Sequence, residues 1–134
     1  YENGKESLVL QFTGSTNRCV FADEYILDKE KGALYNLKTG KETLLVGYKM
    51  TSPELIKVSP DGRYLVVMGL MDNIMDYQVH IFDLKSNKSA KYEDDNFSQH
   101  ENLAFVDDTT IVYSTVDPSR GYEYVILDVS KAIK

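Results

Sequence analysis

The sequence predicts an all-β protein built from three imperfect copies of a four-stranded antiparallel β-meander. Three observations lead to this prediction. Two landmarks recur with a common period, the segments between them have the hydrophobic pattern of strands, and residues that favour tight turns recur at the same points. The composition agrees, because ten tyrosines and only three prolines suit half-buried pleated surfaces better than helices.

The first landmark is a tight turn followed by a strand. Residues 59–67 read Ser-Pro-Asp-Gly-Arg-Tyr-Leu-Val-Val, and we align them with 14–22 and with 107–113. Proline restricts φ to the value that the start of such a turn needs, and glycine adopts the positive φ that completes it. The apolar run after the turn then predicts a buried strand.

The second landmark is a strand that ends in a hairpin turn. Residues 35–41 (Tyr-Asn-Leu-Lys-Thr-Gly-Lys) match 82–88 (Phe-Asp-Leu-Lys-Ser-Asn-Lys), and 127–129 (Leu-Asp-Val) repeat the first half of the motif. Glycine and asparagine tolerate left-handed backbone geometry best, and they occupy the same point of the two hairpins. The landmarks share a period of 45–47 residues, which fits four short strands with their turns.

The elements follow from these landmarks within a single domain spanning 1–134. Repeat one (7–50) is predicted to have strands near 7–13, 18–27, 33–37 and 42–47. Repeat two (51–97) is predicted to have them near 54–58, 63–69, 77–84 and 89–93. Repeat three (98–134) is predicted to have them near 102–106, 110–115 and 122–129, with a short or absent fourth strand. No helix is predicted, although the polar connection 94–101 could hold one helical turn.

The middle repeat resembles a known sheet unit. Residues 56–67, followed by 78–84 (Gln-Val-His-Ile-Phe-Asp-Leu), resemble the WD-like blade of TolB-type β-propellers, which also occurs in the propeller domains of prolyl-oligopeptidase-type peptidases. The resemblance implies that the chain is part of a β-propeller or an open stack of blades. Propellers close with about four to eight blades. We therefore expect a fragment of a longer propeller, with a six-bladed dimer or an open stack as the alternatives.

The sequence offers no combination of residues that predicts catalysis. His80 lies in a predicted strand and His100 in a polar connection, and no G-x-S-x-G motif accompanies them. The Cys and His residues are too few and too far apart for a structural zinc site. We therefore predict that the protein is not an enzyme and has no cofactor and no metal site.

The charge pattern argues against two classes of partner. The net charge is −6 and no dense Lys/Arg cluster is present, so nucleic-acid binding is not expected. No apolar run approaches the length of a bilayer span, so direct membrane insertion is not expected either. The lone Cys19 leaves the compartment open, and the blade resemblance favours an extracytoplasmic, periplasmic or cell-surface location.

The connections between strands predict where a partner would bind. The longer connections lie on one rim of the repeats, and such loops commonly carry binding residues. Residues of this rim form the candidate contact patch: Tyr48, Met71, Ile74, Met75, Phe97, Arg120 and Tyr122. An alternative is that Met71, Ile74 and Met75 extend two long strands and pack on the next sheet.

Together these observations favour a non-catalytic protein- or peptide-binding or scaffolding module, as an extracytoplasmic domain of a larger protein. One alternative is the gating propeller portion of a serine peptidase whose catalytic domain is not in this chain. Another is a purely structural domain, such as an extracellular insert between membrane segments. The expected partner is a protein or peptide, and a homodimer that completes a six-blade assembly is an alternative.

Overall fold

Three antiparallel sheets and one short helix make up the computed structural model, which describes residues 19–48, 50–71, 77–93, 99–117 and 121–133. The first sheet contains β1 (Cys19–Ala22), β2 (Tyr25–Asp28), β3 (Ala33–Asn36) and β4 (Glu42–Leu44). The second contains β5 (Met50–Val58), β6 (Tyr64–Met71), β7 (Tyr77–Asp83) and β8 (Lys88–Glu93). The third contains β9 (Gln99–Phe105), β10 (Thr110–Asp117) and β11 (Gly121–Asp128), and the helix α1 (Val129–Ala132) follows.

Each sheet is an open meander in which consecutive strands are hydrogen-bonded neighbours. Strand β5 contacts both β1 and β9, so the first strands of the three sheets lie side by side. The predicted all-β class and the three antiparallel meanders are therefore confirmed. The predicted strands of the second and third repeats agree with β5 to β11 to within a few residues.

The second sheet packs between the other two, because its side chains alternate between its two sides. On one side, Leu65, Val67 and Phe82 join residues of the first sheet in a first core. On the other side, Val66 and Ile81 join residues of the third sheet in a second core. All five side chains are buried, so both sides of this sheet contribute apolar surface to folding.

An Asn or Asp side chain at the end of the third strand starts the hairpin turn of the first two repeats. The Oδ1 atoms of Asn36 and Asp83 each accept hydrogen bonds from the backbone N–H groups two and three residues later, at 2.9–3.3 Å. Four residues after each of them the chain reverses, at Gly40 (φ 74°) and Asn87 (φ 63°). The second landmark therefore marks equivalent turns, as predicted.

The third repeat ends differently, in a helix that the sequence analysis did not predict. Asp128 occupies the same position as Asp83, but it is the N-cap of α1, and its side chain accepts from the N–H groups of Ser130 and Lys131. Four residues after Asp128 stands Ala132, which disfavours left-handed geometry and favours helix. The chain therefore continues into a helical turn, and the third sheet has three strands in the described part of the chain.

One predicted strand of the first repeat is wrong. The segment 18–27 is not a single strand, because a two-residue turn at Asp23 and Glu24 separates β1 from β2. Asp23 has φ 49°, a conformation that Asp tolerates better than most residues. Strand β2, which pairs with β3, is therefore the equivalent of β6, which pairs with β7, so the alignment of 14–22 with 59–67 is also wrong.

Two predictions concern residues outside the described ranges. The strand predicted near 7–13 lies wholly outside them. The connection predicted over 94–101 is shorter at its far end, because β9 begins at Gln99 and includes His100. Its remaining part, 94–98, lies outside the described residues.

An ion pair at the end of β7 fixes the turn between β5 and β6 against the turn after β7. Arg63 donates to both carboxylate oxygens of Asp83, at 3.0 Å from Nη2 and 3.3 Å from Nε. Burial alone raises the pKa of Asp83, but Arg63 and the two backbone N–H groups outweigh this effect and lower the pKa to about 2. Asp83 is therefore held as a carboxylate within the fold.

We expect Asp83→Ala to destabilise the protein by roughly 2 kcal/mol at neutral pH, since it removes hydrogen bonds to a buried charged group. The contribution of Asp83 is present above its unfolded pKa and is lost as the pH falls from about 4 towards 2, because the folded pKa is the lower one. Urea unfolding at several pH values measures both effects. Asp128→Ala is the control. It removes the same type of carboxylate from an exposed cap, so equal losses for the two variants would contradict the prediction.

Candidate interaction surface

The third sheet has one side that packs on the second sheet and one that points away from it. Val125 and Leu127 pack against the second core, so the residues that alternate with them in β11 point outward. Cross-strand partners share a side of the sheet. The outward surface, which we call the open face, contains Tyr122, Tyr124, Ile126, Val112, Ala104 and Val106.

The repeat shows how unusual the exposure of this face is. Leu34, Ile81 and Ile126 each lie two residues before the Asn or Asp that ends the third strand of their sheets. Leu34 is 3% exposed and Ile81 is 0% exposed, because the next sheet covers each of them. Ile126 is 74% exposed. The equivalent apolar position is therefore buried in the first and second sheets and exposed in the third.

The six side chains that define the open face are apolar or aromatic. Tyr122 and Tyr124 are 70% and 75% exposed, and Val106 is 63% exposed. A shallow groove of about 230 Å³ runs between Tyr124, Val112 and Ala104. Contiguous apolar surface of this kind is typical of interaction sites, and tyrosine supplies contact area at low entropic cost.

The opposite end of the stack differs from the open face. The outward side of the first sheet contains Ile26, Ala33 and Tyr35, and all three are buried. Phe21 and Leu44 are exposed on the same side, at 70% and 57%. The two ends of the stack therefore present different surfaces, and the exposed apolar side chains are more extensive on the third sheet.

The predicted contact patch is only partly within the described residues. Tyr122 lies on the open face. Tyr48 is half-buried between the first two sheets, where its ring stacks on Phe82 at 6.1 Å between ring centroids. Met71 ends β6. The other four residues of the patch lie outside the described ranges: Ile74, Met75, Phe97 and Arg120.

The interface between the first two sheets contains buried polar groups close to Phe82. His80 is 2% exposed and its ring centroid is 4.2 Å from that of Phe82. Burial, and to a smaller extent the charge of Lys91, lower the pKa of His80 to about 4. Burial, followed by the charge of Asp28, raises the pKa of Tyr48. Neither group is therefore poised for proton transfer near neutral pH.

A second groove, of about 440 Å³, opens on the rim of the tight turns. Its charged residues are Lys41, Lys85, Arg63 and Asp61, and Arg63 is already paired with Asp83. Opposite charges so close together do not select one class of ligand. Within the described ranges, no three His, Cys, Asp or Glu residues are grouped as a metal site would require, and no helix is long and apolar enough to cross a bilayer.

Sequence analysis placed Tyr122 in the contact patch but missed Tyr124 and Ile126. It predicted a strand near 122–129 without asking which of its sides is covered. The missing information was whether a fourth sheet covers the outward side. The repeat alignment pairs Ile126 with Ile81, and that pairing could have drawn attention to β11.

Comparison with known proteins gives information about the fold and not about the function. No protein-family model matches the chain, and no curated protein matches it. An uncharacterized protein from Listeria monocytogenes EGD-e is similar in structure, with a TM-score of 0.53, 12% identity and coverage of 85% of this chain. The tricorn protease has a TM-score of 0.43 and 19% identity over 69% of this chain. The chain spans 33% of the Listeria protein and 9% of the tricorn protease chain.

Proposed function

We propose that the chain is a non-catalytic protein-binding module and that the open face is its contact surface. The observation that carries this proposal is the 74% exposure of Ile126, at a position whose equivalents in the other two sheets are buried by a neighbouring sheet. A partner that covers this position would bury the same kind of surface that the second and third sheets bury against each other.

The chemistry of the open face fits recognition of polypeptide. Tyr122 and Tyr124 offer ring faces for packing and hydroxyl groups for hydrogen bonds at the rim of a contact. None of the six side chains that define the open face is charged, so packing against them requires no matching ion pair. The sequence-level resemblance to WD-like blades is consistent with this proposal, because such repeats present rigid sheets to their partners.

Selection from a random-peptide library displayed on phage tests the proposal. We expect peptides that bind the wild-type chain to lose affinity about 10- to 100-fold on Ile126→Ser, since burying an isoleucine side chain is worth roughly 1.5–3 kcal/mol. Fluorescence anisotropy with the selected synthetic peptides measures the loss.

The matched control is Leu44→Ser, which removes an exposed leucine from the other end of the stack. We expect it to leave the affinity of the peptides unchanged. Recovery of no binding peptide, or an equal loss for both variants, would contradict the assignment of the contact surface to the third sheet.

A further inference from the structure

We infer that the partner of the open face is a second copy of the same chain, bound face to face about a twofold axis. This inference rests on the proposed function, because it names the partner of the same surface. The resulting assembly is a linear stack of six sheets, with the two third sheets in contact at its centre. Such a stack differs from a six-bladed ring, which would also use the outward side of the first sheet.

The chain itself shows that its sheets pack face to face. Val79 and Ile81 of the second sheet are fully buried, in a core that they share with the third sheet. Tyr124 and Ile126 occupy the equivalent positions of β11 and are about three-quarters exposed. A second copy brings a sheet with the same twist and the same alternation of side chains, as aligned packing of two sheets requires.

The charge of the contact surface matters for association of two copies. Each chain carries a net charge of −6, which opposes self-association. The six residues of the open face are uncharged. In a twofold interface each residue is used twice, so an uncharged, self-complementary surface avoids placing like charges opposite each other.

The exposed area is large enough for a weak specific dimer. With exposures of 70–75%, Tyr122, Tyr124 and Ile126 together present roughly 400–500 Å² per copy. Two copies, with Val106, Val112 and Ala104 added, would bury roughly 1,000–1,200 Å², which is at the lower limit of specific interfaces. We therefore expect a weak dimer that dissociates on dilution.

The burial of the first sheet argues against a ring. Ring closure would place the open face of one copy on the outward side of the first sheet of the other. Ile26, Ala33 and Tyr35 on that side are already buried within one chain. Only Phe21 and Leu44 among the apolar residues named on it would therefore gain much burial. Contact between two open faces leaves this side unchanged.

Sedimentation velocity on the 134-residue chain tests the inference. Between about 1 and 300 µM, we expect the weight-average mass of the wild type to rise from 15.3 kDa towards twice that value. Ile126→Glu should weaken association at least about 100-fold and stay monomeric, because it places two unpaired carboxylates in one contact. Circular dichroism checks that Ile126→Glu is folded. If it is not, Tyr124→Ser replaces it as the variant expected to associate more weakly.

Phe21→Glu is the matched control, since Phe21 is as exposed as Tyr122 but lies on the first sheet. We expect it to dimerise like the wild type. Loss of the dimer in Phe21→Glu would contradict the face-to-face arrangement and would indicate a ring instead. A wild type that stays monomeric throughout would overturn the inference, whereas the selected peptides would still decide whether the open face binds other polypeptides.

Discussion

Ile81→Ala is expected to destabilise the protein by about 2–5 kcal/mol. Ile81 is 0% exposed and lies in the second core with residues of the third sheet. Truncation removes apolar contacts and leaves a cavity that a sheet-on-sheet interface closes only partly, because both backbones are fixed by their ladders. Equilibrium unfolding in urea, followed by circular dichroism, measures the change.

The chain provides a control for this prediction in Ile126→Ala. The residue type, the substitution and the position in the repeat are the same, but Ile126 is 74% exposed. In the monomer we expect a change of at most about 0.5 kcal/mol, as for other surface substitutions. If the two variants lost similar stability, Ile126 would be part of a packed core and the open face would not exist.

The second large effect is a loss of stability on acidification that depends on His80. Burial lowers the pKa of His80 to about 4, from about 6.5 in the unfolded chain. Between these two values the unfolded state binds a proton that the folded state does not, so stability decreases as the pH falls from about 6.5 to 4. The pKa difference corresponds to roughly 3 kcal/mol.

His80→Leu removes this dependence and keeps an apolar side chain of similar size against Phe82. We expect the variant to retain its neutral-pH stability down to about pH 4.5. At pH 7 it should be at least as stable as the wild type, because the buried Nδ1 of His80 has no hydrogen-bond partner. Unfolding free energies at pH 7 and 4.5 test both points. The prediction fails if the wild type and the variant lose the same free energy between these pH values.

The sequence was informative where local chemistry repeats. Asn36 and Asp83 bond the same two backbone N–H groups, and Gly40 and Asn87 reverse the chain at the same distance beyond them. Such turns are encoded within a few residues. The period therefore predicted the three meanders and most of their strands without knowledge of any tertiary contact.

It was less informative where one residue decides between two local structures. Asp23 breaks 18–27 into a hairpin by adopting a positive φ, although Asp is also compatible with other conformations. Ala132 stands where the other repeats have Gly or Asn, so Asp128 caps a helix instead of starting a hairpin. Periodicity alone does not reveal either event.

The candidate site was harder to predict, because exposure depends on which sheets are neighbours. Ile81 and Ile126 have the same residue type, strand and repeat position. One is buried and the other exposed only because the second sheet is followed by another sheet. Sequence patterns describe which residues share a side of a sheet, but not whether that side is covered.

The position of the second sheet between two cores has a consequence for how the molecule opens. The first and third sheets each share one core with it, so separation of the third sheet would leave the first core intact. Opening is then expected to proceed sheet by sheet from the ends of the stack, with backbone amides of β6 and β7 protected from hydrogen exchange longest. A partner bound to the open face would hold the third sheet in place and slow opening from that end of the stack.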